Sequence, residues 1–568
     1  MREKIVGLIQ EVTGKEYDVS VEPSEDLAFG HYATSVALKL ASASGKNPRA
    51  FAEELAVKLR AADRGALFER IEVAGPGFIN FWLSKEAIRG AFLEIVNAGK
   101  KWGTQKVVSY KSLVVSKRPV IIIDYSHPNI AKPMSVAHLR STIIGAALYN
   151  VFKFSGWKTI GDNHLGDWGK QFGVLIAAYK EKSKLRKDIN ISELMRLYVD
   201  YTARMKEDPK LEDVAREETK KLQDGDKENV KIWKAFYKIS INEFQKIYKI
   251  LGVKFDYFLG ESFYKPMLGD VVKEALAKGI AKRSEGAVII PLDPLPPFVI
   301  QKSDEAFLYS TTDLAAVQYR VKKFKPNVIL YVVDNGQSLH FEQLFVSVRK
   351  LGFATNEELV HAKFGLILSE DMKKLSTRAG RHIALEAVID QAIEKARALV
   401  DAKRNDLSEA ERAKIAQAVG IAALKYNDLS QNRQSDIAFR WKKMLNLEGN
   451  SAPYLIYTYV RLKSILRKGK KQKTLKADAP IEPADLKLVL KLMQFPDAIA
   501  RVRETYFPHL LTDYLYDLAK CANHYYQSVP VLKSAGELQS VRLHLVSAVA
   551  ETMKIGLGLL GISALQKM

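Results

Sequence analysis

VIIIDYSHPNIAKPMSVAHLRSTIIG, residues 120 to 145, is the stretch from which the architecture of this chain can be built outward. Its opening VIIID is a β-branched apolar run, the pattern of a strand buried on both faces, and polar and proline-bearing residues follow at once. The strand is therefore expected to end near Tyr125. Pro128 and Pro133 keep the next residues out of helix, Ser135 is a suitable N-cap, and VAHLRSTIIGAALYNVF then spaces its apolar residues for a helix beginning near Val136. A buried parallel strand, an irregular polar loop and a helix N-terminus form the nucleotide site of doubly wound α/β sheets, where unpaired backbone N–H groups face phosphates. The polar side chains gathered there are Asp124, His127, Asn129, Lys132, Ser135 and His138.

Downstream, WKTIGDNHLGDWGKQFG offers a second short strand and a loop in which Gly166, Gly169 and Gly173 suggest close backbone approach. It is expected to pack beside the nucleotide site. Residues from about 177 to 250 are charge-dense and helical in period, which reads as an insertion of amphipathic helices with a solvated charged face. From Gly252 to His382 β character returns in FDYFLG, GAVIIPL, PFVIQKSD, NVILYVVD and KFGLIL, the expected second half of a Rossmann-like sheet split by the insertion. Beyond 385 the pattern is helical, broken at a Lys-rich, Pro-ended loop near 466 to 483. Residues 1 to 115 read as a separate small α/β unit with two helices broken at GKNP and a strand pair turned at Gly75-Pro76-Gly77. The expected fold class is multidomain α/β plus all-α. Its parts are an N-terminal α/β domain (1–115), a Rossmann-like parallel-sheet catalytic domain with a helical insertion (116–385), and a C-terminal helical bundle (386–568).

Composition bounds the function. At 568 residues the chain is too long for one core. A formal charge of +22 and a pI near 9.5 imply a polyanionic partner. RNA or DNA ranks ahead of a membrane, because no stretch approaches the lone apolar span of about twenty residues that crossing requires; a merely basic enzyme is the plain alternative. The single cysteine, Cys521, excludes an internal disulfide and a Cys-based zinc site; it fits a reducing cytoplasm and reads as core packing. No structural metal and no targeting segment are expected.

Ser135-Val136-Ala137-His138 resembles the HIGH motif of class I aminoacyl-tRNA synthetases. The longer SHPNIAKPMSVAHLRSTIIG, with GDNHLGDWGKQFG at 161 to 173, is similar specifically to arginyl-tRNA synthetases. Two positions depart from the motif: Ser135 stands where its first His sits, and Ala137 where a Gly lets the adenine lie close. A hydroxyl can hydrogen-bond a phosphate but carries no positive charge, and a methyl narrows the base slot. Lys374-Leu375-Ser376-Thr377-Arg378 is similar to the KMSKS loop with Thr377 in place of its last lysine. The family commonly joins that loss to a lysine before HIGH, which Lys132 matches. YATSVALKLA with AGPGFINFWL resembles the family's N-terminal additional domain, which contacts the outer corner of tRNA, although His31 replaces its usual acid. Phe29 and Tyr32 there read as base-stacking or, by preference, half-buried packing. LKYNDLSQNRQSD, NLEGNSAPYLIYTYVRLKSILRK, PHLLTDYLYDLAKCANHYY and ETMKIGLGLLGISALQKM resemble its anticodon-binding helical domain.

The resemblance implies an arginine–tRNA ligase that forms arginyl-adenylate from ATP, delivered with Mg2+, and transfers arginine to tRNA(Arg). It further implies that tRNA is needed for arginine activation, and a cytoplasmic monomer. Adenylate formation needs cations or donors on the triphosphate. The expected catalytic residues are Lys132, Ser135, His138, Lys374 and Ser376, and the expected ATP-binding segment is Pro128, Asn129, Ile130, Ala131, Lys132, Pro133, Met134, Ser135, Val136, Ala137 and His138. The guanidinium of arginine needs a carboxylate and an aromatic face. Tyr309 and Asp313 lie four apart, on one face of a helix starting there, and the family uses these positions for it; a plain acid in a first helical turn is the alternative. Asp124, Asn129 and Gln337 match the positions used for the amino acid's polar groups. His127 reads as a substrate contact or a loop filler, and His164 as orienting its loop. Two rivals remain: a catalytically impaired, synthetase-like RNA-binding protein, and a class I nucleotidyltransferase-fold enzyme acting without tRNA.

Overall fold

The computed structural model describes residues 1–14, 17, 19–104, 118–182, 189–369, 383–469, 474–476 and 478–567. Its organising sheet has four parallel strands in the order Glu358–His361, Val328–Tyr331, Val120–Asp124 and Lys158–Asp162. The VIIID run occupies an interior position, so both its faces are covered. Ile121 and Ile123 join the core shared with the Ala137–Phe154 helix, whereas Ile122 joins a second core with Leu314, Val317, Ile329 and Val348. That split follows from the two-residue period of a strand. Gly145 lets the Ala137–Phe154 helix press onto Tyr125: a Cβ there would lie 2.3 Å from the tyrosine ring.

Four readings need correction. The Ala287–Leu292 and Leu295–Gln301 strands, with Lys282–Ser284, form a separate antiparallel sheet, not part of the parallel one. Pro291, Pro294, Pro296 and Pro297 remove backbone donors there, which suits a small hairpin sheet better than a fully paired interior strand. FDYFLG contributes a single bridge, Tyr257 to Asp162, and Ile367–Leu368 pairs with Ile437–Ala438 in the region read as purely helical. Ser135 is not the side-chain N-cap: Val136 holds that position, and the serine hydroxyl faces His138.

Residues Ile191–Arg204, Lys210–Asp224 and Lys227–Leu251 are the helices of the insertion. The N-terminal unit is a four-stranded antiparallel sheet with helices, in which Tyr32 is core while Phe29 is 63% exposed, so packing holds for Tyr32 and not for Phe29. From Leu385 to Leu559 the chain is mainly helical, with Cys521 half-buried on the His509–Ser528 helix. Buried Arg140 fastens this part to the sheet domain through Asp428 at 3.0 Å and the carbonyls of Arg433 and Ser435. No helix among the described residues is long and apolar enough to cross a membrane.

Candidate active site

The register of the parallel sheet sets His361, Tyr331, Asp124 and Asp162 side by side along its carboxyl edge. Two adjacent buried carboxylates require a cation. Arg320, from the Tyr309–Phe324 helix, supplies it: its Nη2 donates to Asp124 Oδ2 at 2.7 Å and to Asp162 Oδ2 at 2.8 Å. Burial opposes ionisation of Asp124, but Arg320 and His127 outweigh it and hold this carboxyl well below the usual range. Burial and the neighbouring Asp124 push Asp162 up against the pull of Arg320. The other Asp124 oxygen meets His127 Nε2 at 2.8 Å, so His127 is a partner of the buried acid rather than a loop filler. Both oxygens of Asp124 are thus engaged within the protein.

The chain leaves this strand through left-handed φ angles at Ser126 (85°), His127 (52°) and Ala131 (63°), conformations that cost non-glycine residues energy and must be held by their surroundings. The hydroxyl of Ser126 meets Thr142 Oγ1 at 2.9 Å and Tyr248 OH at 2.8 Å; the backbone N–H of Ala131 donates to Ser240 Oγ at 2.7 Å. Tyr248 and Ser240 both belong to the insertion helix Lys227–Leu251. Gly166 N–H donates to Pro128 O and Gly166 O accepts from Ile130 N–H, closing the second glycine loop onto the first motif. A Cβ on Gly166 would fall 1.9 Å from Asn129 Oδ1, so this close approach requires glycine. Pro128, Ile130, Ala131, Met134 and Val136 are buried, Lys132 and Pro133 are half-buried, and Asn129 and Ala137 are exposed.

At the helix start, His138 Nδ1 accepts the backbone N–H of Ser135 at 2.9 Å and lies 3.1 Å from its hydroxyl. The same Nδ1 lies 3.2 Å from the Ser135 carbonyl oxygen, so this ring nitrogen meets the N–H, the hydroxyl and the carbonyl of Ser135. Ser135 therefore orients His138. Met134 O accepts from Leu385 N–H at 2.8 Å and Val136 N–H donates to Ile383 O at 2.9 Å, so the chain following the second basic stretch is sewn onto the first motif. Lys374 and Ser376 themselves lie outside the described residues.

Tyr309 opens its helix and is 60% exposed. One turn on, Asp313 Oδ2 meets His340 Nε2 at 2.6 Å, and the His340 ring lies 4.8 Å from that of Tyr309. Gln337 is exposed in the Asn335–Gln337 turn that precedes the His340 helix. Burial, with the charges of Asp167 and Asp313, pushes the Glu261 carboxyl up to about 7. Asp167 is in turn fixed by Ser262, whose N–H and hydroxyl donate to it at 2.8 and 2.6 Å. Burial pushes the Tyr331 hydroxyl up, Arg320 opposes it, and the charges of Asp124 and Asp313 add to it. Sequence reading missed Glu261, Arg320 and His340, since no local spacing links them to the motifs; the proximity of His340 to Gln337 in GQSLH was the only available hint. His164 packs at 5.6 Å against the Tyr264 ring.

This arrangement, a donor-rich helix start beside an acid cluster with an exposed aromatic face, suits a phosphorylated nucleotide together with a guanidinium. Residues 104–441 match the family model described as tRNA synthetases class I (R), catalytic domain. The chain belongs to the arginyl-tRNA synthetase family. Residues 1–83 match the arginyl tRNA synthetase N terminal domain and 455–568 the DALR anticodon binding domain. An arginine–tRNA ligase of Fusobacterium nucleatum is 42% identical over 566 residues, covering 98% of this chain and 96% of the relative. One from Chloroflexus aggregans is 42% identical over 544 residues, covering 94% and 93%. The arginyl-tRNA synthetase of Plasmodium falciparum superposes with a TM-score of 0.86 at 28% identity, covering 100% of this chain and 98% of that one. The Thermus thermophilus enzyme shares the fold, with a TM-score of 0.83 at 23% identity and coverage of 100% and 99%.

Proposed function

We propose that this chain is an arginine–tRNA ligase in which ATP and arginine give arginyl-adenylate and diphosphate, after which the terminal ribose hydroxyl of tRNA(Arg) attacks the acyl carbon. The observation that carries the substrate assignment is the Asp313–Glu261–Asp167 cluster beside Tyr309. Burial and the like charges of Asp167 and Asp313 oppose the ionisation of Glu261, and a planar cation that pairs with Asp313 and Glu261 relieves that repulsion while stacking on the exposed ring. Asn129 and Gln337, both exposed, serve the amino and carboxyl groups of arginine. Asp124 supports them from beneath the site, through His127 and Arg320.

Catalysis consists of positioning and electrostatic stabilisation, with no covalent protein nucleophile. Lys132 and the Nε2 side of His138 stabilise the triphosphate over the start of the Ala137–Phe154 helix, with Lys374 and Ser376 of the second motif, and Mg2+ arrives as part of the nucleotide substrate. Ser135, which lacks the charge of a second imidazole, works by orienting His138. Residues 1–115 and 386–568 hold the outer corner and the anticodon arm of tRNA against the catalytic part, residues 116–385, in a cytoplasmic monomer.

The test is pyrophosphate exchange with each of the twenty amino acids, with and without total tRNA. Exchange with arginine alone among them, dependent on tRNA, is expected; tRNA binding without any exchange would instead identify an impaired RNA-binding relative. Lys132→Ala is expected to lower kcat by about 10²–10³-fold with a smaller change in KM for ATP, the loss typical of one preorganised donor.

A further inference from the structure

Lys132 carries the only lysine or arginine charge between Pro128 and His138. Among the described residues it forms no hydrogen bond or ion pair; its Nζ lies 4.7 Å from the centroid of the Tyr198 ring. Tyr198 sits on the Ile191–Arg204 helix of the insertion, half-buried with its ring against the main core. An ammonium half-withdrawn from water and paired with no carboxylate is costly unless something stabilises it, and the negative face of an aromatic ring does so without neutralising its charge. Burial lowers the pKa of Lys132 accordingly. A carboxylate in the same place would compete with phosphate for the ammonium; a ring does not. The same insertion already holds this loop through Ser240 on Ala131 and Tyr248 on Ser126.

We infer that Tyr198 is a positioning residue for adenylate formation, its ring holding the Lys132 ammonium ready for the phosphate oxygens of ATP. This rests on the reading that Lys132 serves the triphosphate. A helix distant in sequence from both nucleotide motifs thereby becomes part of the activation machinery, and movement of the insertion would change the placement of the charge.

Tyr198→Phe keeps the ring and Tyr198→Leu removes it. In tRNA-dependent pyrophosphate exchange at saturating arginine, Tyr198→Phe is expected to stay within about twofold of the parent, and Tyr198→Leu to lower kcat by about 5- to 30-fold, with KM for arginine unchanged. In a Lys132→Ala background, Tyr198→Leu should cause no further loss, because the group it positions is gone. Equal losses in both backgrounds, a silent Tyr198→Leu, or a Tyr198→Phe as impaired as Tyr198→Leu would each overturn the inference. If Tyr198→Leu does not fold, Tyr198→Gln takes its place in the same cycle. A silent Lys132→Ala would remove the underlying reading instead, whereas a damaging Lys132→Ala with a silent Tyr198→Leu removes only the role of Tyr198.

Discussion

His340 donates to one oxygen of Asp313 at 2.6 Å, and on the proposed substrate reading the other oxygen takes the guanidinium. Asp313→Asn can still satisfy His340 with its carbonyl, but it then turns an amide N–H toward the substrate cation. A loss of about 2 to 4 kcal/mol in kcat/KM for arginine is expected, with KM for ATP little changed; steady-state aminoacylation checks it. Glu261 adds a pH dependence. Its carboxyl is raised to about 7, so on the proposed substrate reading it holds, below that pH, a proton that a guanidinium must displace. Arginine kcat/KM should therefore rise with pH through about 7 and level off above it, and Glu261→Gln should lose much of that rise. A profile unchanged by the substitution would detach Glu261 from the substrate.

The insertion looks from its composition like a solvated ornament, yet its Lys227–Leu251 helix turns two groups onto the strained loop: Ser240 Oγ takes the Ala131 N–H and Tyr248 OH meets Ser126. Removing the first leaves a buried donor unpaired beside a residue at φ 63°. Ser240→Ala is expected to cost about 1 to 3 kcal/mol of stability and to lower the activation rate more than it changes KM for arginine. Urea denaturation and pyrophosphate exchange measure the two effects separately. Gly166 is the equivalent point on the other side of the loop. A methyl there must displace Asn129, so Gly166→Ala should weaken arginine use while leaving the Ala137–Phe154 helix intact by circular dichroism.

Across the molecule, buried polar contacts join the catalytic part to the C-terminal helices. Lys425 Nζ donates to Leu251 O, at the end of the insertion, and to Gly561 O, just past the last helix, both at 2.5 Å. Deleting residues from about 450 onward would therefore remove packing from the catalytic part as well as an RNA-binding surface, and charging should be abolished for both reasons. Burial lowers Lys425 from its ordinary 10.5 to about 8. Between those values the unfolded chain binds the extra proton and the folded chain does not, so this group makes stability rise with pH across that window. Lys425→Met should lose that rise when unfolding is compared at about pH 7.5 and about pH 9.5. The net charge of +22 predicts in addition that tRNA affinity falls steeply and linearly in log–log form with salt, measurable by filter binding.

The VIIID strand, the following helix and the glycine loop were legible because their signals are local: a two-residue period, a 3.6-residue period, and glycines where backbones touch. The start of a helix at Tyr309, with Asp313 one turn on, was legible for the same reason. Proline-rich β segments misled, because local β character does not say which sheet a strand joins. Nor does any spacing in the sequence announce that Asp124 lies between Asp162 and Tyr331, that Arg320 reaches it from a helix nearly two hundred positions away, or that Glu261 stands near Asp313. These follow from strand register and helix packing, which bring distant residues together only once the chain has folded. Burial and neighbouring charge then decide that Asp124 is a buried anchor, Glu261 a carboxyl poised near neutrality, and Lys132 an ammonium held on an aromatic ring.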